Sequence, residues 1–333
     1  LSSPVLETKA SINTTSTLPA EAVQLGRAFD IQRIQAEIAE IPFHFWGKQR
    51  IYDAAGLGPP TDLDWRVLPL RSLGGDPDRT DPGGPGQEDF GPTLWLDQLP
   101  YLKEILSTIP APLNAVRLMA LGPGTACAEH CDSKYSMSRG FARLHIPILT
   151  NPGVTLTLDG VVHRWQPGEF WFGEFARPHK VGNDGTCTRI HLVIDTLMTT
   201  DLATLFPTNW YPYLFHGDVL FNRHPIPDTP VADNSITCVA TIPSTFTEFN
   251  HDDTLNRTGP MGPIHVSTEN GQVHLVDNNE KRYLLVHIGR EEFRFAAWSE
   301  QRTIQLLPGV MTLRVHKNRI VHEIIFPAKT ITS

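Results

Sequence analysis

The run Glu129-His130-Cys131-Asp132 places an imidazole and a carboxylate two residues apart. Side chains alternate along an extended strand, so His130 and Asp132 would share one face and could hold one ion together, with Cys131 turned away. A third ligand has to come from elsewhere. His179 follows Pro178, 47 residues after Asp132 and beyond a hairpin signal, and is the candidate. Two histidines and one carboxylate on one face of an octahedron leave three positions open, the donor set of non-haem Fe(II) oxygenases. In a chain with 14 histidines a lone His-x-Asp arises easily by chance, so other residues must support it.

Arg189, ten residues after His179, supplies that support. In Thr188-Arg189-Ile190-His191-Leu192-Val193 the alternation puts Arg189 and His191 on one face and Ile190 and Leu192 on the other. A guanidinium buried beside a metal site needs an anionic partner, and a dicarboxylate is the natural one. The same alternation in Arg143-Leu144-His145-Ile146-Pro147 puts Arg143 and His145 into a polar interior, with Leu144 and Ile146 packing outward. Zinc bound by Cys127, His130 and Cys131 is disfavoured, because Cys131 cannot face the way His130 does in a strand and no CxxC pair exists. Trp171, with Trp165, is a candidate substrate contact, although rings of this kind more often serve the core or a rim. Glu169 and Glu174 read as turn or surface carboxylates, and Arg117 could reach the pocket or form an ion pair.

These residues need elements to position them. From Asn114 to Asp195 the pattern is that of short strands: Val116 to Leu121, Phe141 to Leu149, Val154 to Leu158, Val161 to Trp165 and Thr188 to Asp195. Asp159-Gly160 signals a two-residue hairpin turn. Strands at this spacing predict a barrel or a double-sheet jelly roll. Upstream, Asp30 caps a helix with Ile31, Ile34, Ile38 and Ile41 at helical spacing, closed by Pro42. Leu99, Leu102, Ile105, Leu106 and Ile109 mark a second helix ended by Pro110, and Trp65 to Leu70 reads as a strand. The Gly/Pro/Asp-rich stretch from Gly74 to Gly91 reads as a long surface loop and a possible lid. The expected organisation is a flexible tail over 1–20, an oxygenase domain over 21–214, and a smaller accessory β-rich domain over 215–333. In the last, Ile236 to Ile242, Val273 to Val276, Tyr283 to His287 and Thr312 to Val315 read as strands with no chemical motif.

The stretch from about Ala115 to Asp195 resembles the aspartyl/asparaginyl β-hydroxylase family, most nearly its bacterial proline cis-4-hydroxylase-like branch. The matching pieces are Arg117-Leu118 with Leu121-Gly122-Pro123-Gly124-Thr125, His130-Cys131-Asp132, Arg143-Leu144-His145-Ile146-Pro147 and Trp165-Gln166-Pro167-Gly168-Glu169. They continue through Pro178-His179 with Asn183 and Arg189-Ile190-His191-Leu192-Val193-Ile194-Asp195. The likeness covers about 80 residues well and about 170 loosely, including Trp65 to Leu70, and leaves out the C-terminal third.

The resemblance implies a double-stranded β-helix (jelly-roll) core and His130, Asp132 and His179 as iron ligands and catalytic centre. Arg189 would bind the distal carboxylate of 2-oxoglutarate, His145 would lie beside that cosubstrate, and Arg143 would be a candidate for a substrate carboxylate. The implied reaction hydroxylates an unactivated C–H bond of an amino acid, peptide or natural product, consuming O2 and 2-oxoglutarate and releasing succinate and CO2. Vertebrate-type members lack the metal carboxylate that Asp132 supplies, and its presence disfavours halogenation. Desaturation or cyclisation by the same iron chemistry is the alternative outcome, and a non-catalytic jelly-roll binding module is the rival class.

Composition agrees with an enzyme of this kind. In 333 residues the hydrophobic share is 40%, enough for a sizeable core, and the net charge is −8 with no basic run. Nucleic acid is therefore not an expected partner. No apolar stretch approaches the roughly 20 residues that span a bilayer. The four cysteines form no paired framework, so free thiols and a cytoplasmic location are expected. The expected partner is a small-molecule or peptide substrate bearing a carboxylate.

Overall fold

The computed structural model describes residues 17–53, 56–226, 236–249, 255 and 259–330. The expected tail lies, up to residue 16, outside the described residues. The fold is mainly β, with a jelly-roll core, flanking N-terminal helices and a C-terminal β-rich unit.

Three nine-residue strands, Leu113–Leu121, Phe141–Leu149 and Arg189–Leu197, form the centre of an eight-stranded antiparallel sheet. Strands Glu169–Gly173 and Ala22–Ala28 extend it on one side. Trp65–Leu73 and Gly47–Lys48 extend it on the other, with Phe90–Pro92 beside Trp65–Leu73. A four-stranded sheet faces it, in the order Val161–His163, Val154–Leu158, His179–Asn183, Thr125–His130. The Asp159-Gly160 turn has both residues at positive φ (49° and 82°), the conformation a two-residue hairpin requires.

The three central strands are buried on both faces for two different reasons. Leu118, Ala120, Leu144, Ile146, Ile190, Leu192 and Ile194 point outward and pack with Ile34, Ile38, Leu102, Ile105 and Leu106 of the helices Ile31–Ala39 and Pro100–Ser107. Asp30 caps the first helix by accepting from the Arg33 amide at 3.1 Å. The other face, toward the small sheet, carries Arg117, Arg143, His145, Arg189, His191 and Asp195, all less than 9% exposed. A period-two sequence therefore sends its apolar half to a helix-covered core and its ionisable half between the sheets.

In the C-terminal unit each strand pairs with the next in chain order, from Cys238–Pro243 to Ile320–Pro327. Lys329–Thr330 then returns to pair with Cys238 and Val239, so this nine-stranded sheet nearly closes on itself. Its interior is filled by apolar side chains such as Phe246, Leu275, Phe295 and Leu313, and this cluster also takes in Tyr135, Phe141 and Leu197.

The segment from Gly74 to Gly91 departs from the surface loop expected of its composition. Thr80, Asp81, Gly83 and Gly84 are buried. Arg79 pairs with Asp81, the Gly83 carbonyl accepts from Lys134, and the Gly86 carbonyl accepts from the Leu284 amide. Glycines and prolines cannot fill a core of their own, but they can pack closely as backbone between two units that supply the side chains, and this segment does so.

Candidate metal and cosubstrate site

The strand carrying His130 ends at that residue, so Asp132 lies just past it rather than within it as the alternation argument assumed. Asp132 is placed instead by its amide, which donates to the Phe175 carbonyl at 2.9 Å, and by Arg143, which donates to its carboxylate. His179 opens its own strand and stands opposite His130 in the register. The structure thus brings the three residues together, with ligand atoms all within 4.8 Å of one another.

Both imidazoles are oriented in the same manner. His130 Nδ1 lies 2.9 Å from the Ala128 carbonyl and His179 Nδ1 lies 2.9 Å from the Arg177 carbonyl. A carbonyl only accepts, so each Nδ1 carries a hydrogen and each Nε2 is the atom left for a metal once the ring is neutral, the arrangement of metal-binding histidines. Burial lowers the His179 pKa, against the Arg177 carbonyl and Asp132. His130 is raised to about 9 by its contact with Cys127, against burial and with help from the Ala128 carbonyl and Asp132. Burial also works against charge on Asp132, but Arg143, His179 and His130 outweigh it and hold the carboxyl below its ordinary value.

Arg143 and Arg117, both read from the sequence as candidate substrate anchors, are engaged within the protein. Arg143 meets Asp195 through Nε at 2.6 Å and Nη2 at 3.2 Å, as well as meeting Asp132. Arg117 Nη2 donates to the same Asp195 at 3.0 Å. The Arg143 guanidinium lies 3.7 Å from the centre of the Tyr135 ring. Two arginines and two carboxylates therefore form one buried network ending on Asp132.

Arg189 is placed differently. It is 4% exposed, has no carboxylate within ion-pair distance among the described residues, and leaves its Nε without a partner. Its Nη2 donates to His191 Nδ1 at 2.7 Å. Burial alone lowers its pKa to about 9. His145 stacks on Phe175 at 4.8 Å, lies 3.4 Å (Nδ1 to Nδ1) from His191, and has a buried, unpartnered Nε2. Burial first, and then Arg189, keep both histidines well below the usual imidazole range, so both are neutral. A buried guanidinium with no carboxylate beside it is an environment suited to an anion.

Trp171 is one layer further out. It stacks on Trp165 (5.1 Å, 12°) and donates to Glu169 at 2.8 Å, whereas Trp165 itself contacts His145 and His191. Glu174, read as a surface carboxylate, is 5% exposed, and burial raises it to about 7. Sequence reasoning missed Asp195 and Phe175 as parts of the site. Asp195 was within reach, because it continues the Arg189 and His191 face at even spacing. Phe175 gave no signal, because its place depends on a turn.

A family model for Aspartyl/Asparaginyl beta-hydroxylase matches residues 29–198. L-proline cis-4-hydroxylase of Rhizobium meliloti (strain 1021) is 28% identical over 114 residues, 34% of this chain and 39% of that protein. The chain thus spans well under half the length of this curated relative. Among solved structures, a 2OG-Fe(II) oxygenase family oxidoreductase from Burkholderia pseudomallei shows a TM-score of 0.36 at 14% identity, over 53% of this chain and 84% of its own. A cupin domain from Bordetella pertussis shows a TM-score of 0.21 at 16% identity, over 27% of this chain and 86% of its own.

Proposed function

The chain belongs to the aspartyl/asparaginyl beta-hydroxylase family, and from that premise we propose that it hydroxylates an unactivated C–H bond of an amino acid or amino-acid-derived substrate, releasing succinate and CO2. The cofactors are those of a 2OG-Fe(II) oxygenase: Fe(II), 2-oxoglutarate and O2. The observation that carries the reading is the pairing of two features in one interior. In the His130, Asp132 and His179 group both Nδ1 atoms are held on carbonyls, and Arg189 lacks a protein carboxylate among the described residues.

In this reading His130, Asp132 and His179 hold the iron. The two carbonyl contacts keep the histidines in the ligating tautomer, and Arg143 keeps the Asp132 carboxylate ionised and aimed. Arg189 takes the distal carboxylate of 2-oxoglutarate, with His145 beside that molecule. Bound iron, with 2-oxoglutarate and O2, supplies the oxidising power that replaces hydrogen by hydroxyl. The protein contributes orientation and exclusion of water through Phe175, Trp165 and Leu158, which line the interior between the sheets.

Residues 21–214 form the oxygenase unit in this proposal and 215–333 an accessory unit that buttresses it. The substrate is a small molecule or peptide. Arg143 and Arg117 serve it indirectly, by fixing Asp132, because their charge is already matched. No helix among the described residues is long and apolar enough to cross a membrane.

The test is incubation with Fe(II), 2-oxoglutarate and a panel of free amino acids, L-proline included, and of peptides. Succinate and substrate mass gain of one oxygen are read by mass spectrometry. Iron-dependent succinate with a hydroxylated product is the expected result. Full turnover by Asp132→Ala would overturn the ligand assignment.

A further inference from the structure

A cleft of about 380 Å³ enters the jelly roll at the end opposite the Arg143 and Asp195 pair, a volume within the range of small-molecule sites. Its outer residues include Pro152, Arg164 and Gln166, which are exposed, and its inner end is formed by Trp165, Arg189 and His191, which are buried. None of His130, Asp132 or His179 lines it. His130 and Asp132 have their own access to solvent, with side chains 38% and 30% exposed. Ring contacts run from the cleft's inner end toward the metal group. His145 stacks on Phe175 at 4.8 Å, and Phe175 packs edge-on against His179 at 5.0 Å.

The charges along the cleft point one way. At the mouth, Arg164 donates to the Pro152 and Val154 carbonyls and has no carboxylate within ion-pair distance among the described residues. At the inner end Arg189 is in the same condition. In a chain of net charge −8, two unmatched guanidiniums at the two ends of one cleft form a local path for an anion. His163, also on the cleft wall, is already paired with Glu21 at 2.9 Å.

We propose that this cleft is the passage by which the dicarboxylate cosubstrate, and the succinate it leaves, exchange with solvent, separately from the substrate's approach on the His130 and Asp132 side. The inference rests on the function proposed above. Because Arg189 lines the inner end of the cleft, a dicarboxylate anchored on it would exchange by this route without crossing the His130 and Asp132 side. Arg164 is then a steering residue at the entrance.

Stopped-flow mixing of the anaerobic, Fe(II)-loaded full chain with 2-oxoglutarate tests this, read by absorbance and by tryptophan fluorescence. Arg164→Glu should slow association by about tenfold or more at low ionic strength, with the gap closing as salt is raised, and Arg164→Lys should keep most of the rate. Gln166→Trp, at the exposed rim, should slow association and dissociation in proportion and leave Kd within about twofold. Association rates unchanged in both Arg164→Glu and Gln166→Trp, while the unaltered protein binds normally, would overturn the passage. Failure of the unaltered protein to bind 2-oxoglutarate at all would instead overturn the underlying functional reading.

Discussion

The two ends of the jelly-roll interior are built from the same residue types and treat charge in opposite ways. At one end Arg143 and Arg117 share Asp195, and Arg143 also reaches Asp132, so every guanidinium there has a carboxylate. At the other, about 20 Å away along the Arg189–Leu197 strand, Arg189 has among the described residues no carboxylate and a neutral histidine as its side-chain partner. A buried ion pair that is fully hydrogen-bonded mainly holds geometry, and removing one partner costs about 3–5 kcal/mol because the other is left uncompensated. A buried cation with no partner does the reverse. It weakens the empty fold and keeps its favourable interaction for a ligand. Arginines that look alike in sequence thus divide into two that are matched within the scaffold and one, Arg189, that is the proposed anion receptor.

The sharpest way to break this comparison begins at Asp132, where the scaffold meets the proposed metal. Asp132→Ala should reduce succinate formation at least about 10³-fold, equivalent to about 4 kcal/mol of lost transition-state stabilisation, with Fe(II) affinity measured alongside. Next come the two arginines changed in the same way. Arg143→Met should destabilise the fold by about 3–5 kcal/mol in urea denaturation, since it takes the arginine from Asp132 and leaves Asp195 with Arg117 alone. Arg189→Met should leave stability equal or higher and raise the 2-oxoglutarate KM by about 10–100-fold, the loss of a charge-assisted contact worth about 1.5–3 kcal/mol. Similar stability losses in both variants would erase the distinction between the two ends.

A smaller effect concerns Glu174, in the turn that leads to His179. It is neutralised by a proton rather than by a cation, since burial raises it from 4.5 to about 7. The folded chain holds this proton to higher pH than the unfolded chain. Its contribution is therefore complete below about pH 4.5, declines as pH rises, and is lost above about pH 7, by about 3 kcal/mol in all. Glu174→Gln should flatten that part of the stability profile, and an unchanged slope between pH 5 and 7 would refute the assignment.

Much of the fold was legible because its signals are local. The Asp30 cap, the Ile31 to Ile41 spacing, the Asp159-Gly160 turn and the alternation in the Arg143 and Arg189 strands each depend on a few neighbouring residues, and each element forms close to where its pattern falls. The Gly74 to Gly91 segment was misread because composition reports what a segment cannot do alone. Its packing comes from Lys134 and the C-terminal unit, far away in the chain. The near-closure of the C-terminal sheet was equally hidden, since it depends on Lys329 and Thr330 meeting Cys238 and Val239.

For the site, the amino-acid order alone determined the donor types, their alternation, and hence the face on which His145, Arg143, Arg189 and His191 lie, because a strand's period of two is a property of its backbone. It did not determine which arginine is free. That was decided where Asp195 crosses from its strand to Arg143 and Arg117, and where Asp132, past the end of its own strand, is held by the Phe175 carbonyl and Arg143. Charge compensation is a matter of distances between residues far apart in the chain, and only the folded sheet pair sets those distances.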